Sequence, residues 1–197
     1  MNPDLAHTRA YVAALTGSPG TMMCFQTLDD QANGNRGRAR SDLVQTIWGS
    51  LDDGETPDVL ADFNRRGAGV YVTVNELNHG QPMLGADVVS RLARHVTRIR
   101  ALFIDCDGAI PDLSLIPEPS FAVRSARGPH FYWRTSMPVE QFKPAQRRLA
   151  DVLGTDIAVN DPCRVMRLPG FYHRKQDPFL VKMSELHTGE YSIYWKR

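Results

Sequence analysis

Residues Ala101–Ala109 read ALFIDCDGA, and the fold turns on how this stretch is read. Four apolar residues, Ala101 to Ile104, run directly into Asp105-Cys106-Asp107-Gly108. A continuous apolar run this short fits a strand buried on both faces. Residues two apart in a strand project to the same side, so Asp105 and Asp107 point together. Two carboxylates on one face repel unless a cation lies between them, and oxygen ligands of this kind suit Mg²⁺ or Mn²⁺. Gly108 then permits a sharp turn at the strand end. The plainer reading, a strand-end turn with two solvated aspartates, is common enough that the rest of the chain has to decide.

Outward from this stretch, the elements alternate. Gly85 to Ile99 has Val88, Val89, Leu92, Val96 and Ile99 on one side of a helical projection and Arg91, Arg94, His95 and Arg98 on the other. Before it, Val70 to Val74 is a β-branched strand, so a β–α–β order is expected across Val70 to Ile104. After the aspartates, Phe121–Ser125 and His130–Arg134 read as strands joined by Ala126-Arg127-Gly128-Pro129, a hairpin signal. Val139 to Leu153 reads as a helix stopped by Gly154. Near the N-terminus, Asp4 to Leu15 reads as a helix capped by Asn2, Met22 to Leu28 as a strand, and Asp29 to Arg40 as a basic loop carrying Arg36, Arg38 and Arg40. Leu43 to Leu51 fits helix or strand, and Pro57 to Phe63 a short helix capped by Thr56. Phe179–Met183 and Tyr191–Trp195 read as late strands. The expected class is α/β with a central sheet and no interdomain linker.

Composition sets the bounds. The 197 residues are 42% hydrophobic and 23% charged with a net charge of +1, an ordinary globular balance that does not announce a polyanion binder. Cys24, Cys106 and Cys163 are isolated and form no zinc or disulfide pattern, which fits a reducing, cytoplasmic setting. No apolar run approaches membrane-spanning length.

Two further constellations carry chemistry. In SARGPHFYW, Gly128 shares a face with His130 and leaves room for an anion near the backbone, and a histidine there can donate to a phosphate oxygen. In TDIAVNDPCRVMRLPGFYHRK, Asp156 and Asp161 precede Arg164, Arg167, His173, Arg174 and Lys175. Acid for a metal followed by base for phosphates is what a metal–triphosphate site requires.

Taken in order, FIDCD, S-x-x-G-x-H-x-Y-W and D-x₇-R-x-x-R-L-P-G with its basic tail resemble the RepB-like plasmid and phage primases of the archaeo-eukaryotic primase (primase–polymerase) superfamily. The strand Gly67 to Asn75 is similar to that group as well, so the resemblance spans about Phe63 to Lys175. It implies an RRM-like catalytic half with a mixed or antiparallel central sheet, and a smaller N-terminal α/β half. Together these make one catalytic domain over residues 1–197. It implies a DNA primase or primase–polymerase, a two-metal nucleotidyl transferase that extends a primer on single-stranded DNA in plasmid or phage replication.

By the same resemblance, Asp105, Asp107 and Asp156 are catalytic and bind Mg²⁺ or Mn²⁺, Asp156 because it stands eight residues before Arg164, with Asp161 as its alternative. His130, Gly128, Arg164, Arg167 and Lys175 line the nucleotide's phosphates. Where many members carry Ser-x-His, this chain has Gly128, which removes a serine contact. The implied partners are a single-stranded template, nucleoside triphosphates and a replicative helicase, free or fused. The absence of a terminal tail after Tyr194-Trp195-Lys196-Arg197 hints at a fragment of such a fusion.

Two other readings compete. IDCDG also resembles the haloacid-dehalogenase-like phosphatases, with Asp105 as nucleophile and Asp107 as acid/base on a Rossmann-like sheet. A non-catalytic single-stranded DNA-binding protein would use the basic loop and Phe131, Tyr132 and Trp133, but leaves the three acidic positions unexplained.

Overall fold

Ala101–Asp105 is a strand, β6, and its first four residues are buried. In the computed structural model, which describes residues 1–31, 40–78 and 91–185, it forms the edge of a four-stranded sheet. Its neighbour is β8 (Pro129–Arg134), followed by β7 (Phe121–Arg124) and β12 (Lys182–Glu185), all antiparallel. An open edge on a buried strand leaves backbone groups to satisfy. Gln146, fully buried on helix α3 (Val139–Leu153), does this for Phe103: its Oε1 accepts from the Phe103 amide at 3.2 Å and its Nε2 donates to the Phe103 carbonyl. The buried stripe Phe142, Gln146, Leu149, Ala150 and Leu153 seats α3, and Gly154, left-handed at φ +63°, ends it.

The second four-stranded sheet is built from β1 (Met23–Asp29), β2 (Gln45–Gly49), β3 (Ala68–Thr73) and β9 (Val165–Arg167), in the order β2-β1-β3-β9 and again wholly antiparallel. The ambiguous Leu43–Leu51 segment therefore resolves into a strand. Helix α1 (Leu5–Thr16) is capped by Asp4, whose Oδ1 accepts from the Ala6 amide at 3.1 Å, and not by Asn2. Helix α2 (Thr56–Arg65) takes in Thr56, and the Asp53 carboxylate accepts from the Thr56 amide at 2.7 Å. Among the described residues two small ladders accompany the sheets: β4 (Glu76–Leu77) with β5 (Val96–Arg98), and β10 (Tyr172–His173) with β11 (Phe179–Leu180). One apolar core runs between the sheets. At its centre Tyr11 meets Phe121 and Tyr132 edge-on at 5.6 and 5.7 Å, and Phe121 stacks on Tyr132 at 4.6 Å.

The fold is mixed α/β with antiparallel sheets. The expected helix from Gly85 to Ile99 is not formed in its described part. Ala93–His95 is a single 3₁₀ turn, and Val96–Arg98 pairs as β5 with Glu76 and Leu77. Tertiary pairing has overridden the helical period there, and Asn75 holds the next turn by accepting from the Arg100 amide at 2.9 Å. Consequently β3 and β6 lie in different sheets, and the expected β–α–β unit is absent among the described residues. Among the described residues the strands divide between two four-stranded antiparallel sheets, in keeping with the antiparallel central sheet that the resemblance implies. An aspartate ending the edge strand of an antiparallel sheet also removes the dehalogenase-like reading, which needs a parallel Rossmann-like sheet. Arg36, Arg38, the segment 85–90 and the Tyr191–Trp195 strand lie outside the described residues. No helix among the described residues is long and apolar enough to cross a membrane.

Candidate active site

The end of β6 and the β7–β8 hairpin build one wall of a cleft of about 470 Å³. After Asp105 the chain stays on the hairpin: the Cys106 amide donates to the Pro129 carbonyl at 3.0 Å, and the Gly108 amide to the Arg127 carbonyl at 3.3 Å. Gly128 makes this approach possible, because a Cβ there would sit 1.8 Å from the Cys106 carbonyl oxygen. The space expected to admit an anion beside Gly128 is thus filled by the chain's own backbone. Gly128 shapes the wall and does not line the cleft.

Asp105 and His130 face each other in register, with His130 Nε2 3.3 Å from Asp105 Oδ1. Burial would push the Asp105 carboxyl up, but the His130 hydrogen bond and charge, with Arg164 and Arg127 nearby, hold it below the usual carboxylate range. His130 is buried, and its Nδ1 has no partner among the described residues. Expected on a phosphate, it lies against Asp105 in this structure. Asp107 pairs with Arg127 at 2.9 Å, both half-exposed. Asp105 and Asp107 both line the cleft.

The facing wall comes from the other sheet and the segments beside it. Arg91 reaches in with its guanidinium held by Gln26 Oε1 at 3.3 Å and by the Cys163 carbonyl at 3.4 Å. Arg164 lines the cleft 3.8 Å from Asp161, and Lys175 lines it from an exposed position. Asp156 is exposed and does not line it; its Oδ1 accepts from the Ala158 amide at 2.8 Å, closing a local turn. The later carboxylate that lines the cleft is Asp161. Arg167 also borders the cleft, but its guanidinium is buried and forks onto Asp30, both bonds 2.9 Å. Buried His173 completes this wall. Burial, with Arg167 beside it, pulls its imidazole down to about 4.

Asp105, Asp107, His130, Arg164, Arg167 and Lys175 are therefore gathered around one cleft, while Asp156 and Gly128 are not among its lining residues. By sequence pattern Arg91 falls on the polar face of a helix and Asp30 in a loop, so neither stands out as a site residue. Arg127 falls in the hairpin turn, between the motif positions Ser125 and Gly128. Among the described residues no three of His, Cys, Asp and Glu cluster as a self-sufficient metal site. A carboxylate pair of this kind fits a divalent ion whose remaining oxygen ligands come from water and a bound phosphate, the usual habit of Mg²⁺.

No protein-family model matches the sequence, and no curated protein matches it. Solved structures do. The AEP domain of a primase–polymerase from cyanophage S-2L superposes with a TM-score of 0.70 at 19% identity, covering 97% of this chain and 95% of that one. The primase RepB′ gives a TM-score of 0.59 at 17% identity over 94% of this chain, which spans 57% of that protein's length. The catalytic domain of RepB′ in complex with initiator DNA gives 0.54 at 16% identity, covering 93% of this chain and 87% of that one. The chain has the fold of RepB-like primase and primase–polymerase catalytic domains, which its ordered motifs imply.

Proposed function

We propose that the chain is a primase–polymerase-type nucleotidyl transferase that extends a primer on a single-stranded DNA template. The observation that carries this reading is the opposition, across one cleft, of the Asp105–Asp107 pair and the cations Arg91, Arg164 and Lys175. A nucleoside triphosphate needs both, and a DNA-binding surface without catalysis has no use for paired carboxylates, which repel a phosphate backbone.

Asp105 and Asp107 would hold Mg²⁺ or Mn²⁺, with Asp161 the later carboxylate available to it; the ion would supply neutralisation of the charge that develops on the reacting phosphate. The chain's own residues do the positioning. His130 keeps Asp105 ionised and aimed into the cleft. Arg127 balances the charge of Asp107. Arg164 and Lys175 receive the triphosphate, and Arg91, its guanidinium fixed by Gln26 and the Cys163 carbonyl, adds a pre-oriented fork. The primer 3′-hydroxyl gives up its proton to water and its oxygen bonds to the α-phosphorus, while the bond from that phosphorus to the α–β bridging oxygen breaks and pyrophosphate leaves, so no protein nucleophile is required.

The test is incorporation of labelled nucleotide on a single-stranded template, with and without primer, in Mg²⁺ or Mn²⁺. Activity abolished by Asp105→Ala supports the reading. DNA binding without incorporation under any of these conditions returns the chain to a non-catalytic single-stranded DNA-binding role.

A further inference from the structure

The geometry points to Asp30 as a positioning residue that holds the Arg174 backbone and the Arg167 guanidinium so that Lys175 and His173 face the nucleotide. This role rests on the nucleotidyl-transfer reading above. Asp30 lies one residue past β1, with its side chain 1% exposed. Its two oxygens accept four hydrogen bonds: Arg167 Nη1 and Nη2 at 2.9 Å each, the Tyr71 hydroxyl at 3.1 Å and the Arg174 amide at 2.8 Å. Those donors come from β3, β9 and the residue that follows β10, so one carboxylate ties three segments to the end of β1. Strand β3 makes room for it with Gly69, where a Cβ would fall 2.5 Å from Asp30 Oδ1.

The Arg167 guanidinium is committed twice over. It forks onto Asp30 and lies 4.7 Å above the centre of the Tyr71 ring. A buried ion pair adds little stability over an apolar substitute, so its value here is positional. Arg174 is the hinge of that position: its amide is fixed by Asp30, and its neighbours on both sides, His173 and Lys175, line the cleft. Arg167 thus belongs to the support of the basic wall, and the phosphate contacts fall to Lys175, Arg164 and Arg91.

Asp30→Asn keeps the shape but offers one acceptor oxygen where four donors converge. The expected result is a rise of about tenfold in triphosphate KM, with kcat changed less than about threefold. The Kd of a fluorescent non-hydrolysable nucleoside triphosphate rises alongside it, single-stranded DNA affinity is unchanged, and hydrogen exchange at the Arg174 amide is faster. In a Lys175→Ala background the same change adds less than about twofold, because its effect passes through Lys175. The paired variant Asp30→Ala/Arg167→Met strands no buried charge yet still removes the acceptor of the Arg174 amide. It covers the case in which Asp30→Asn fails to fold, and it raises KM likewise. Wild-type KM in either Asp30 variant, or full additivity with Lys175→Ala, overturns the assignment. A wild-type chain that incorporates no nucleotide overturns the reading on which it rests.

Discussion

The acidic wall of the cleft comes from one stretch of chain, Asp105 to His130, folded on itself as a strand and a hairpin. The basic wall is gathered from Tyr71, Arg91 and positions between 161 and 175, brought together by a different sheet and backed by the buried Asp30. One ladder controls the first: the Asp105–His130 register and the contact of Gly128 with Cys106 follow from a single antiparallel pairing of neighbouring strands. Long-range pairing controls the second, through the Tyr71–Arg167 register and the Asp30–Arg167 fork. Loss of a carboxylate from the acidic wall should therefore strike the chemistry, loss of the backbone contact that shapes that wall should strike stability and chemistry together, and damage to the basic wall should strike stability and nucleotide affinity.

The largest effect tests the acidic wall directly. Asp105→Ala and Asp107→Ala should each reduce nucleotide incorporation to background while circular dichroism stays native. Because each carboxylate already has a cationic or histidine partner, neither substitution should stabilise the protein by relieving repulsion; in denaturant unfolding the loss should be under about 1 kcal/mol for the half-exposed Asp107 and about 1–3 kcal/mol for Asp105, whose removal leaves buried His130 unpaired. Retained activity in either variant would break the contrast between the walls.

Gly128→Ala comes next. Its Cβ cannot coexist with the Cys106 carbonyl, so the hairpin has to move away from the Asp107 turn, at a cost of about 2–4 kcal/mol. Activity should fall with stability. A fully stable, active variant would show that the hairpin contact does not shape the site.

Arg167→Lys sharpens the comparison from the other side. A lysine cannot fork onto Asp30 or lie flat on Tyr71, so unfolding free energy should drop by about 1–3 kcal/mol, read from a urea titration. Loss of activity at unchanged stability would mean that Arg167 meets the phosphates directly.

The smallest expected effect is a pH dependence. His173 is held neutral by burial and by the charges of Arg167, Lys175 and Arg127, opposed by Asp30, with its value near 4 against an ordinary 6.5. Between those values the unfolded chain binds the extra proton, so stability is fully present above about 6.5 and is lost as pH falls toward about 4. His173→Gln should flatten the stability profile over that window; an unchanged slope would remove His173 as its source.

Much of the acidic wall was legible in the sequence because its rules are local. Four apolar residues before an Asp-x-Asp specify a buried strand with its carboxylates at the end, and Arg127-Gly128-Pro129 specifies the hairpin that returns to it. Helix α3 was equally plain, bounded by its amphipathic period and Gly154. The helical reading of Gly85 to Ile99 failed in its described part because Val96 and Ile99 also suit a short ladder, and only Glu76 and Leu77, distant in sequence, decide between the two. Asp156 stands out in the sequence by its spacing to Arg164, yet the chain closes a local turn on it, leaving it at the surface, and Asp161 lines the cleft.

By itself, then, the sequence determined the carboxylate pair, the hairpin that carries His130, and the basic character of the segment from Arg164 to Lys175. Only the tertiary structure decided that the two sheets are separate and antiparallel, that Asp161 lines the cleft, and that Arg167 belongs to Asp30. The reason is physical. Strand periodicity, glycine turns and helix stops act over a few residues, whereas the partner of a buried charge is set by which strands pair across the whole chain.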